Sequence, residues 1–132
     1  MKSKTRGQAM QTLILLAAFF GATGVALGAF GAHGLSDLLE ANGRVDTFRT
    51  GAQYHLIHAA VILATALLVT QIDSQLISYA GWAFAIGILF FSGSLYILSI
   101  FDISIMGAVA PIGGTAFIIG WVLLGIAAFQ SA

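Results

Sequence analysis

The stretch TLILLAAFFGATGVALGAFGA, residues 12–32, contains 21 residues and no charged side chain. An α-helix rises about 1.5 Å per residue, so this length spans the roughly 30 Å hydrocarbon core of a bilayer. Lys2, Lys4 and Arg6 precede it, as basic residues precede a secretory signal. A signal's apolar core has about 7–15 residues, however, so the segment reads as a retained membrane span. Three further apolar runs follow at residues 54–69, 76–100 and 105–129. The second is short unless its helix begins near Asp46. An open sheet cannot cross lipid, because its edge groups would stay unpaired, and barrel strands need only about 9–11 residues. The expected fold is an all-α integral membrane protein. It is a single transmembrane domain over residues 1–132, built as a compact up-and-down four-transmembrane-helix bundle.

Composition points the same way. The chain is 59% hydrophobic and 8% charged, against about 25% charged in soluble domains. A soluble protein of 132 residues has too much surface for its volume to hide that apolar area. Membrane lipid is the expected surrounding. The formal net charge is zero, so no basic field points to a nucleic-acid partner. The absence of cysteine excludes disulfides, zinc knuckles, iron–sulfur clusters and thiol nucleophiles. Three Lys/Arg lie in the N-terminal segment and two in the first loop, with none in the later loops or the C-terminal tail. The positive-inside rule then favours cytoplasmic termini.

At 100° per residue each long segment shows a face of small side chains. In the first it is Ala17, Gly21, Gly24, Gly28 and Gly31; in the third, Ser78, Gly81, Ala85, Ser92, Tyr96 and Ser99. In the fourth it is Gly107, Ala110, Gly114, Trp121, Gly125 and Ala128. Lipid chains are as apolar as leucine, so close backbone contact and hydrogen bonds hold membrane helices together. The first helix is accordingly expected near the bundle centre. A homo-oligomer using one such face is the rival, and both can hold together. Pro111 sits one turn inside the fourth helix. The missing side chain of Gly107 leaves room for its ring, and Gly113 and Gly114 soften the same turn. Leu35, Leu38 and Leu39, at helical spacing, are expected to lie along the interface.

The up-and-down order gathers polar groups at one end: His33, His55 and His58, then Ser92, Ser94, Tyr96 and Ser99. His58 is the deepest ionisable residue in any span, and such residues mark functional sites unless they serve as interhelical glue. The structural alternative is a neutral imidazole bridging to Thr65 or to a serine of the third helix. The sharper expectation is that His33, His58 and Tyr96 converge, lined by Ser92 or Ser94. A metal held by His33, His58 and a loop carboxylate, or a bis-histidine haem, has no dense ligand motif behind it, so no cofactor is expected. The string GATGVALGAFGAHG is no phosphate loop, since it lies inside an apolar span with no lysine after it. No serine has a credible triad and no carboxylate pair sits within a span.

Four strings in order carry a resemblance: GAFGAHGL at 28–35, FRTGAQYHLIHA at 48–59, LFFSGSLY at 89–96 and APIGGTAFIIGW at 110–121. Together they are similar to the small domain-of-unknown-function 423 membrane family, related to transmembrane protein 256-like proteins. The resemblance implies a bacterial origin, four membrane helices and no assigned activity. His33, Tyr54, His58, Ser92, Ser94, Tyr96, Pro111, Gly113, Gly114 and Trp121 fall on its motif positions, and His55 falls outside them. Three functional classes remain open. The first is a non-catalytic bundle that self-associates or joins a larger membrane complex. The second is a binder or conductor of a small solute or proton using His58. The third, with the least support, is a metal- or haem-dependent redox protein.

Overall fold

The computed structural model describes residues 2–132. Its elements are helices: α1 (Lys2–Ala32), α2 (Ser36–Ala41), α3 (Val45–Gln71), α4 (Gln75–Gly87), a π-helical turn (Ile88–Ser92), α5 (Gly93–Phe101) and α6 (Met106–Gln130). The segment Gln75–Phe101 acts as one rod, so four helices are long and apolar enough to cross a bilayer. They pack together as an up-and-down bundle. The first and second rods extend well beyond the apolar runs, beginning at Lys2 and Val45. A helix has no reason to stop at the hydrocarbon edge. Arg6 pairs with Asp73 across the end of the bundle, and Asp46 occupies the positive first turn of α3.

The connections have local causes. Ser74 caps α4, its side chain accepting from Leu76 N at 3.3 Å. Asp102 ends α5 in the left-handed region at φ 53°. The carbonyls that α5 leaves unpaired are met from the first loop. Asn42 Nδ2 donates to Ser99 O at 3.0 Å and to Ile100 O at 3.2 Å. Arg44 reaches Asp102 at 3.3 Å beside them. The short α2 lies along this end with Leu38 exposed, while Leu39 is buried in the bundle against the Phe48 and Tyr96 cluster instead of lying along the interface with it.

The centre of the bundle is α3 with the Gln75–Phe101 rod, not α1. Most of α1 and α6 faces outward, and among the described residues no Cα of α6 comes within 8 Å of one in α1 or α3. The glycine arc of α1 is only partly used inside the chain. Gly24 abuts Leu56 and His55, and Gly31 abuts Phe48, whereas Gly21 and Gly28 have no neighbouring atom within 4 Å of a would-be Cβ. One glycine face needs one neighbour, so it does not require a central position. The tightest backbone approach lies elsewhere. At Gly113 a Cβ would sit 2.7 Å from the carbonyl carbon of Phe90 and from Phe91 Cα, with the Phe91 amide nitrogen nearer still. That contact seats α6 on the π-helical turn. Pro111 is exposed and Gly114 meets only the Phe91 ring at 3.8 Å, so the packing role expected for those two falls to Gly113.

Candidate polar site

The buried polar groups form two clusters, one on each flank of α3. In the first, His55 is sandwiched between α1 and α5. Its Nδ1 lies 2.8 Å from Tyr96 Oη and its Nε2 lies 3.3 Å from Thr23 Oγ1. Thr23 donates its hydroxyl proton to Phe19 O at 2.9 Å, so its oxygen is left to accept from Nε2–H. A charged ring is costly in this apolar setting, so the neutral Nε2–H tautomer is favoured, with Tyr96 donating to Nδ1. Phe20 meets the imidazole edge-on at 5.9 Å, and Phe48 lies against Tyr96 at 5.0 Å between centroids. His55, Tyr96 and Phe48 are all buried. A hydrogen-bonded line thus runs from the first span through the second to the third.

The second cluster surrounds His58, on the α6 side. Nδ1–H donates to Tyr54 O at 2.8 Å, which leaves Nε2 to accept from Trp121 Nε1–H at 3.3 Å. His58 is therefore the opposite neutral tautomer. Its ring stacks on Phe117 with centroids 3.7 Å apart and planes 11° apart, while Phe84 packs at 5.6 Å. The α3 and α6 backbones do not touch, so this aromatic group fills the space between them. Its polar atoms need partners in a dry setting, and each has one.

The serines are spent on backbone carbonyls. Ser92 donates across to Gly51 O at 2.7 Å, Ser94 to Phe91 O at 2.8 Å, and Ser99 to Leu95 O at 2.6 Å. Thr65 likewise bonds Ile62 O within its own helix. His33 is exposed in the turn after α1, where its carbonyl accepts from Ser36. The expected grouping of His33, His58 and Tyr96 is thus replaced by two others. Tyr96 pairs with His55, and His58 pairs with Trp121 instead of Thr65 or a serine. Among the described residues no three His, Cys, Asp or Glu come together in a metal-binding group, and no buried side-chain nitrogen or oxygen lacks a partner. Both ring nitrogens of each buried histidine have hydrogen-bond partners within the bundle.

Sequence reasoning passed over Thr23 and the pairing role of Trp121. Thr23 is the one hydroxyl inside the glycine-rich half of the first span, and a hydroxyl buried in lipid must find a partner. That was the available signal. Trp121 stands on the small-residue face of α6, where a large ring with one N–H is out of place unless it crosses to another helix.

A family model described as a protein of unknown function, DUF423, matches residues 27–114. A UPF0382 membrane protein, YwdK, from Bacillus subtilis is 43% identical over 122 residues, covering 92% of this chain and 98% of that protein. A UPF0382 membrane protein from Haemophilus influenzae is 42% identical, covering 91% and 93%. The UPF0382 inner membrane protein YgdD from Escherichia coli is 35% identical, covering 89% of each. No solved structure matches.

Proposed function

The chain belongs to the DUF423 family of membrane proteins, and from that premise we propose that it is a non-catalytic bundle whose work is assembly. It pairs with itself, or serves as an accessory subunit of a larger membrane complex. The observation that carries this is the set of small residues left unused on the outer helices. Gly21 and Gly28 on α1 and Gly125 on α6 have no atom within 4 Å of a would-be Cβ. Beside Gly28 and Gly31 lies a hollow of about 350 Å³, bounded by Ala52 and Leu56 of α3. In lipid, helices associate where small residues let backbones approach. A second helix finds such a surface here, while the interior polar groups are fully engaged with one another.

Native mass spectrometry from mild detergent tests this. The expected result is a dimer, a higher oligomer or a co-purifying membrane protein, with loss of that species in Gly28→Leu and retention in Leu15→Ala. Gly28 has room for a side chain within its own protomer, so the variant should still fold. A strictly monomeric wild-type protein without a companion would overturn the proposal. A bound small solute, metal or haem would revive the alternatives, which need His58 to exchange Trp121 for a ligand. We further propose that the protein lies in the bacterial inner membrane with both termini cytoplasmic; the name of the Escherichia coli relative supports the first part and the distribution of Lys and Arg the second. Reporter fusions near residues 4, 42, 73, 103 and 130 test that placement, and a reporter near 42 on the N-terminal side would refute it.

A further inference from the structure

At the end of the bundle that carries the start of α1 and the turn between α3 and α4, α1 and α4 separate. They meet where Leu13 seats on Gly81. Nearer the N-terminus the space between them is a groove of about 530 Å³, with Val69 of α3 on its floor. Lys2, Arg6 and Ala9 of α1 form one wall, and Ser78, Tyr79 and Trp82 of α4 form the other. Both walls keep helical spacing, so each presents one continuous face. The groove changes character along its length. Lys2 and Arg6 stand at the mouth, with Asp73 as the single acidic residue lining it. One to two turns deeper, roughly 5–10 Å at the helical rise, the lining is Ala9, Val69 and Trp82. Tyr79 and Trp82 are about half exposed, at 52% and 48%, as aromatic side chains are at a membrane–water interface.

We propose that this groove is a binding site for a glycerophospholipid with an anionic headgroup, the phosphate held by Lys2 and Arg6 and an acyl chain laid along Ala9, Val69 and Trp82. Charge and shape both select that occupant. Two cations against one carboxylate leave a net positive mouth, and basic pockets between membrane helices suit anionic headgroups. A free phosphate would use only the mouth and leave the apolar floor uncovered. The Arg6–Asp73 ion pair is the internal competitor for the headgroup. This site does not depend on the oligomeric state proposed above.

The test is lipid retention by native mass spectrometry on the full chain, using dioleoyl phosphatidylglycerol, dioleoyl phosphatidylcholine and inorganic phosphate as probes. Wild-type protein should retain the glycerol lipid in preference to the choline lipid, and millimolar phosphate should not displace it. One Lys or Arg beside an anionic headgroup corresponds to about a five-fold change in affinity. Lys2→Gln and Arg6→Gln should each weaken phosphatidylglycerol retention by about that factor, whereas Arg49→Gln at the far end should not. Trp82→Ala should weaken retention of both lipids. The decisive variant is Asp73→Asn, which removes the competitor and should strengthen phosphatidylglycerol retention, a gain that misfolding cannot imitate. Equal retention of the two lipids by wild type, displacement by phosphate, or weakening by Asp73→Asn to the level of Arg6→Gln would each overturn the proposal.

Discussion

Replacing Gly113 with alanine adds a single methyl where, among the described glycines, a Cβ would meet backbone most closely. The new Cβ would lie 2.7 Å from Phe91 Cα, where ordinary contact begins at 3.4 Å, so α6 must retreat by at least about 0.7 Å. Backbone atoms oppose the methyl, and no side chain can rotate out of its way. A retreat of α6 also disturbs two interlocked seats on the same helix. Phe117 lies against Gly87, and Phe84 lies against Gly120. Overpacking of this kind costs about 1–3 kcal/mol, while exchanging a helical glycine for alanine returns roughly 0.5–1 kcal/mol. The net expectation is a loss of about 1–2 kcal/mol, set by the steric contribution. Gly125→Ala is the matched control, since that position is open, and it should be neutral or slightly stabilising. Reversible denaturant unfolding in detergent micelles, followed by far-ultraviolet circular dichroism, measures both. Gly113→Ala as stable as Gly125→Ala would refute the idea that α6 is seated on the π-helical turn by backbone contact.

Trp121→Phe keeps a ring against Phe84 but removes the donor to His58 Nε2. It should cost about 1–3 kcal/mol through an unpaired buried acceptor, measured by the same unfolding assay. Tyr96→Phe and Thr23→Val each remove one partner of His55, and a double-mutant cycle should show non-additivity of about 0.5 kcal/mol or more; strict additivity would mean the line is not one network. The Asp73 carboxyl is held below its ordinary value by the hydrogen bond from Arg6, then by the charges of Arg6 and Lys2. A depressed carboxylate stabilises the folded state fully above its unfolded value, near 3.9, and loses that contribution as pH falls through the lowered one. Asp73→Asn should therefore flatten the acid limb of the stability profile measured from pH 6 to about 2, and salt should shrink the wild-type effect because the pair is exposed.

The four spans were legible because length and apolarity alone decide what crosses a bilayer, and no charge interrupts residues 12–32 or 105–129. The rotational partners were not. His55 and His58 are three residues apart, so they lie about 60° apart around α3. One flank faces α1 and α5 and the other faces α6, and nothing in the sequence of α3 says which neighbour lies on which side. The structure sets His58 at the level of Phe84, 12 residues before Tyr96 in the same rod, so both the true start of α3 at Val45 and its rotation give Tyr96 to His55. The π-helical turn at Ile88–Ser92 was equally hidden, for no side-chain propensity marks it. It lies where a glycine some twenty residues later in the chain comes up against it, a relation between two segments and not a property of either. The bundle centre was misjudged for a related reason. Glycine on α1 signals close approach, but close approach to α3 from the outside satisfies it as well as burial on all sides.

The two buried histidines are closed into the bundle as hydrogen-bonding bridges between helices. Nitrogen-15 solid-state NMR of histidine-labelled protein in lipid bilayers at neutral pH tests this most directly, with His55→Gln and His58→Gln variants assigning the signals. Two neutral rings of opposite tautomer are expected, Nε2–H at His55 and Nδ1–H at His58, with the latter's Nε2 coupled to the indole N–H of Trp121. A cationic ring at either position, or a His58 Nε2 in fast exchange with water, would contradict it.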